Sequence, residues 1–198
     1  LAVSFATSFL MLAVGAYGAP HSSVPPGKWA ALMFDPATTT IDYSLTGWPH
    51  LTQGTFKLKH GMIRVDPANG KMDGAIVVDA TSGNSGHSIR DWRMKSGILD
   101  VARYPDITFD PQQVVSHGAP IGEFPVAVRG VMTLHGAKHP FTIHAMVQRQ
   151  GDSVTIHSDF VVPYVAWGLE NPTVLFFTVA KKADIKVTAV THLNWVSP

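Results

Sequence analysis

The sequence predicts an all-β domain of about eight antiparallel strands with one or two short helices, and three observations carry that prediction. Beyond residue 28, apolar and polar residues alternate with a period of two in run after run, the pattern of strands with one dry and one wet face. The runs are separated by short polar turns, Asp66-Pro67-Ala68-Asn69-Gly70, His135-Gly136-Ala137-Lys138 and Gln150-Gly151-Asp152-Ser153, as hairpin connections should be. Glu123 and Glu170 are the only glutamates, and long surface helices rely on Glu and Lys, so a helical bundle is disfavoured.

In chain order, residues 1–18 carry no charge and read as the apolar core of a secretory signal. Ala16-Tyr17-Gly18 puts small residues at the −3 and −1 positions of a cleavage site, so a mature start at Ala19 is expected. Residues 19–28 form a Pro/Ser/Gly linker and residues 29–191 the folded domain, with 192–198 as a C-terminal tail. Export to the periplasm or the medium follows from the signal, with no membrane span left after its removal.

The strands follow. Ile41, Tyr43 and Leu45 alternate with polar neighbours, as do Phe56 and Leu58; Ile63 and Val65 come after Gly61, then Ile76 and Val78. Val126, Val128, Met132 and Leu134 share one face, and Phe141, Ile143, Ala145 and Val147 another. Val154, Ile156 and Phe160, then Ile185, Val187 and Ala189, complete the set. Only Ser88–Leu99 has helical character: Ser88 as cap, Asp91 three residues on, Ile89 and Trp92 on one side, Gly97 as stop. Eight amphipathic strands must close into a barrel or stack as two sheets, and alternation by itself leaves both open.

Composition narrows the function. A chain of 198 residues with 15% charged residues is not disordered, and a net charge of +1 gives no electrostatic footprint for nucleic acid. With no cysteine there is no thiol nucleophile, no Cys-rich zinc site and no disulfide framework. No Gly-x-Ser-x-Gly elbow and no paired glutamates occur. The ten histidines raise a metal reading: His135 and His139 flank a turn, and His144 and His157 lie on wet faces of neighbouring strands, within reach of each other across a hairpin. No third ligand has suitable spacing, so neither metal nor cofactor is expected.

Several stretches are those of a known family. Gly54-Thr55-Phe56, the block Gly74–Ser82, Arg90-Asp91, and the string Met94-Lys95-Ser96, Leu99-Asp100-Val101, Tyr104-Pro105 and Ile107-Thr108-Phe109 resemble the YceI-like, polyisoprenoid-binding family. Val131–Gly136 with His139-Pro140-Phe141 is similar to its Gly-x-Leu-Thr-x-His-Gly hairpin. The resemblance spans residues 28–191. It implies a lipocalin-like extended antiparallel barrel with an apolar tunnel, in exported bacterial proteins that hold isoprenoid lipids or quinones. One segment departs: where many members carry an Asn-Arg-x-Asp/Glu-Phe-Gly stretch, Ser158–Gly168 has no arginine and adds aromatics. The family's polar head-group anchor is therefore not carried over.

The resulting expectation is non-enzymatic binding or transport of a long isoprenoid or quinone-like lipid, with a homodimer allowed. Val128, Met132, Ile143, Val154, Ile156, Phe160 and Phe177 are expected to line the tunnel, since they fall on dry faces. Arg90, Asp91 and Asp100 are expected to form a structural pin rather than a catalytic or phosphate-binding group. The competing readings are a metal-dependent or hydrolytic enzyme using the His-rich turns, and a barrel filled by its own side chains that serves as a structural or interaction module.

Overall fold

The structure, a computed structural model, describes residues 27–117, 122–173 and 178–197. The expected signal and nearly all of the expected linker lie outside the described residues. Eleven strands occur among those described: β1 Trp29–Phe34, β2 Thr39–Leu45, β3 Gly47–Trp48, β4 Thr52–Val65, β5 Met72–Asn84, β6 Asp106–His117, β7 Gly122–Leu134, β8 Ala137–Gln150, β9 Ser153–Val162, β10 Thr178–Val179 and β11 Ala183–Val196. Between β5 and β6 lie one short helix, α1 Ser88–Arg93, and a π-helical turn, Met94–Ile98.

The main sheet closes on itself as an eight-position antiparallel barrel. Strands β4 to β9 pair in sequence, β9 pairs with β11, and the gap between β11 and β4 is filled by β1 and β2 together. These two are collinear. β1 pairs with Leu193–Val196 of β11 and Gly61–Val65 of β4, and β2 with Asp184–Ala189 and Thr52–Phe56. The break between them is a turn in which Asp35 accepts from the Ala37 N–H at 2.8 Å and the Thr38 hydroxyl donates to the Val190 carbonyl at 2.8 Å. β3 and β10 form a separate two-stranded ribbon.

Turn chemistry sets the register of the hairpins. Leu134 pairs with Ala137 across His135 and Gly136, whose φ values of 51° and 75° are those of a tight primed turn. Gln150 pairs with Ser153 across Gly151, at φ 62°. The β4–β5 and β8–β9 turns, the end of β6 and the start of β7 lie at one end of the barrel, here the hairpin end. α1, the π-turn, the β7–β8 hairpin and the β3–β10 ribbon lie at the other, the helix end. Leu99, Met132, Leu134, Val162, Tyr164 and Leu169 form a buried cluster on the β7–β9 side of the helix end.

Two expectations are corrected. Residues 192–196 are not a tail: they finish β11, paired with β1, because Leu193 and Trp195 continue the alternation begun at Ile185. The helical stretch spans Ser88–Ile98, close to the expected extent, as α1 continued by the π-turn, but Ser88 is its first residue rather than its cap. His87 occupies the cap position without a side-chain bond, and Ile89 and Trp92 are 71% and 69% exposed. The helix buries no residue.

Backbone closeness is the constraint most easily tested. At Gly74, φ is +102° and an added Cβ would collide with the Met62 carbonyl oxygen and sit 3.0 Å from Ile63 Cα; at Gly151, φ is +62° with open space around it. Gly74→Ala is expected to cost about 2–3 kcal/mol in urea denaturation and Gly151→Ala about 1 kcal/mol, since only the first adds a clash to left-handed strain.

Candidate ligand tunnel

The inner surface is built by alternation. Along β8 the half-buried Phe141, Ile143, Ala145 and Val147 alternate with the exposed Thr142, His144, Met146 and Gln148. In a barrel of eight strands the interior can be filled by side chains or can hold one ligand. Exposure decides between the two. Among the described residues no large side chain is fully buried, and inward-facing Val128, Ile143 and Ile156 keep intermediate accessibility. A side chain walled in by a closed sheet keeps such surface only if the space before it is empty.

That space is a cavity of about 1430 Å³, above the roughly 300–1,000 Å³ of ordinary small-molecule pockets. Strands of 10–14 residues, with β1 and β2 in tandem at one position, form the wall, which at about 3.3 Å per residue and a tilt near 40° stands roughly 25–35 Å tall. The cavity reaches both ends. His87, Ile89, Arg90 and Arg93 line it at the helix end, and Asp66, Asn69 and Arg149 at the hairpin end. Arg149 is held there by a 2.8 Å bond from Nε to the Gly151 carbonyl.

Val128, Met132, Ile143, Val154, Ile156 and Phe160 all border this cavity; Phe177 lies outside the described residues. Sequence reading missed the lining residues of two whole strands, Ala30, Leu32 and Phe34 of β1 and Ile107, Phe109 and Val114 of β6, and two further groups. Phe124, Leu193 and Trp195 lie in phase with residues already on the dry face, so extending the alternation finds them. Met94, Ile98, Leu99, Tyr164 and Leu169 come from connections that have no period, and no local signal marks them.

Arg90 and Asp91 do not pair with each other; both close on Ser85. The Asp91 carboxylate accepts from the Ser85 N–H at 2.8 Å and from its hydroxyl at 2.5 Å. Arg90 Nε donates to Ser85 Oγ at 2.7 Å and its terminal nitrogen to the Ser85 carbonyl at 2.9 Å. Burial pushes the Asp91 carboxyl up, but the two Ser85 donors, with Lys95 and Arg90, hold it below the ordinary carboxylate range. Beside them, burial and then the Asp91 charge push the Tyr43 phenol up. Asp100 does not join this group. It takes a left-handed φ of 45°, and its carbonyl accepts from Arg103 and Tyr104 in the loop before β6.

The departing segment forms an aromatic plug. Phe141 packs edge-on against Phe160 and Trp167, both at 5.6 Å, and Trp167 stacks on His139 at 4.2 Å. The Tyr164 hydroxyl donates to the Ala180 carbonyl at 2.7 Å. Among the described residues no three His, Asp or Glu side chains converge as metal ligands. The register puts Met146, not His144, opposite His157, so the two histidines occupy diagonal positions, whose backbones stand about 7–8 Å apart. His157 instead meets Thr188 at 3.1 Å.

Known proteins share this pattern. A family model described as the YceI-like domain matches residues 32–191. A UPF0312 protein of Vibrio campbellii is 30% identical over 122 residues, covering 61% of this chain and 56% of the relative. A second, from Vibrio parahaemolyticus, is 31% identical over 138 residues, covering 69% and 67%. Protein YceI of Salmonella arizonae is 31% identical over 101 residues, 50% of each chain. The chain thus spans about half to two-thirds of the length of these relatives. Among solved structures, Burkholderia cenocepacia BcnA superimposes with a TM-score of 0.63 at 19% identity, covering 79% of this chain and 98% of that one. A polyisoprenoid binding domain from Saccharophagus degradans gives 0.62 at 16%, covering 83% and 98%. At these identities the structural likeness is one of fold.

The Ser85 junction predicts a coupled response. Ser85→Ala and Asp91→Ala are each expected to cost about 1 kcal/mol, and the double variant clearly less than their sum, in denaturant titrations. Because the Asp91 carboxyl is depressed in the fold, its contribution is full above the unfolded value. It is lost as pH falls through the folded one. The stability gap between the parent and Asp91→Asn should therefore hold at neutral pH and shrink below about pH 4.

Proposed function

The chain belongs to the family of YceI-like domains, and from that premise we propose that it binds and carries one long apolar lipid of the isoprenoid or quinone class, without catalysing a reaction. The observation that carries this reading is the hollow barrel: about 1430 Å³ walled by the apolar faces of a closed sheet. An elongated apolar molecule matches both the shape and the chemistry of that space. Binding would be driven by removing ligand surface from water, worth roughly 25 cal/mol per Å² before the costs of association. The polyisoprenoid binding domain from Saccharophagus degradans, built on the same fold, supports the choice of ligand class.

In this reading Val128, Met132, Ile143, Val154, Ile156 and Phe160 contact the chain of the lipid. Asp66, Asn69 and Arg149 at one end and His87, Arg90 and Arg93 at the other are the polar groups within reach of a head group. The protein acts in the periplasm or outside the cell, a proposal supported by the uncharged apolar run of residues 1–18. Amino-terminal sequencing of the protein from its host's exported fraction is expected to begin at Ala19; an intact residue 1–18 segment in the membrane fraction would refute export with cleavage.

Val128→Phe tests the lipid reading directly. In a hollow barrel the larger ring enters empty space, so the melting temperature of delipidated protein should change little while affinity for a fluorescent polyprenyl probe falls about ten-fold or more. In a filled core the same change overpacks, at about 1–3 kcal/mol. A large stability loss, with no probe bound by the parent, would refute the proposal. Native mass spectrometry of protein purified from its host should show a co-purifying lipid.

A further inference from the structure

Five bulky apolar side chains among the described residues are more than half exposed, and four of them lie at one end of the barrel. Ile89 (71%), Trp92 (69%), Trp48 (67%) and Leu51 (56%) all belong to the helix end; only Met33 (65%) lies on the side wall. Trp92 and Ile89 are on α1. Trp48 and Leu51 flank the start of β4, the strand next to the one that leads into α1, and Thr55 of β4 pairs with Asn84 at the end of β5. Soluble surfaces seldom gather large apolar groups in this way.

The cavity reaches the surface at both ends, and this is the end that carries the exposed apolar groups. Ile89 borders the cavity and is largely exposed, as do the neighbouring His87, Arg90 and Arg93. Lys181 and Lys182, in the turn before β11, add two exposed cations at this end. The acids at this end, Asp91 tied to Ser85, Asp106 paired with Lys59, Asp100, Asp184 and Glu170, are outnumbered once Lys95, Arg103 and Lys138 join the cations already named. Tryptophans with leucine and isoleucine, rimmed by arginine and lysine, are the composition that settles at the boundary between lipid head groups and acyl chains. Their cations complement anionic head groups.

Resting on the lipid-carrier reading, we propose that the helix end docks on an anionic membrane surface. Trp48, Leu51, Ile89 and Trp92 enter the head-group boundary, Arg93, Lys181 and Lys182 face lipid phosphates, and the ligand passes between bilayer and tunnel without crossing water. The short α1, with no buried residue, lies over this passage.

Flotation with vesicles of mixed phosphatidylcholine and phosphatidylglycerol, against pure phosphatidylcholine, tests the proposal on the full chain. The parent protein should float with the mixed vesicles, less with the neutral ones, and less as salt is raised. The double variant Trp48→Ser/Trp92→Ser changes exposed side chains that do not line the cavity. It should fold with the parent's melting temperature and bind the polyprenyl probe in solution as the parent does, while its vesicle affinity falls about ten-fold or more. A parent that stays at the bottom of the gradient, or a double variant that floats equally well, overturns the proposal. So does a dimer in sedimentation that the double variant dissociates, which would assign the patch to a second copy. Loss of probe binding by the parent with flotation retained would refute the carrier reading and leave the docking surface standing.

Discussion

Closure of the sheet is the constraint on which everything else depends. β9 meets β11 along a ten-residue register from Ala183↔Val162 to His192↔Ser153, so the wall has no free edge on that side. The remaining gap is wider than one ordinary strand is long, and β1 and β2 fill it in tandem. Once the ring is shut, every alternate side chain must point inward, whatever it finds there. With valines, alanines and isoleucines on much of that inner face, the side chains cover the wall without meeting across it.

A hollow barrel cannot draw its stability from a packed centre. The most buried side chains are small ones, Ala80 and Ala189 at 1% exposure. Two features compensate. The hydrogen-bonded ladders run over long strands, unbroken through the thirteen paired positions from Gly122↔Arg149 to Leu134↔Ala137 and interrupted by bulges in β4–β5 and β6–β7. The apolar cluster under the helix end, around Leu99, Leu134 and Tyr164, provides a conventional core at one side. Cavity and core therefore share a barrel, the aromatic cluster packing the β7–β9 side of the helix end and the cavity surfacing beside α1 and again at the hairpin end.

The Ser85 junction links the two. Arg90 and Asp91 hold the residue that leads from β5 into α1, which positions the short helix over the passage without packing it down. A helix anchored by polar bonds at its first turn and by no buried side chain is free to respond to its surroundings at modest cost. That property suits the proposed carrier role, in which ligand must enter and leave.

How much of this was legible in the sequence depends on the range of the interaction. Period-two alternation names the dry face of a strand because the backbone itself dictates it, and Val128, Ile143 and Ile156, which it assigns to that face, border the cavity. The same rule, carried past Thr191, reads Leu193 and Trp195 as strand rather than tail. The turns at His135-Gly136 and Gln150–Ser153 were legible because their φ values are local requirements. The convergence of Arg90 and Asp91 on Ser85, the isolation of Asp100, and the loop residues Met94, Tyr164 and Leu169 at the cavity were not. They depend on where the ends of distant strands bring their connections. Above all, alternation cannot tell a filled barrel from an empty one, since both bury the same face. Only the tertiary structure decides that, because the width of the ring is set by how all its strands close, while each sequence window sees one strand at a time.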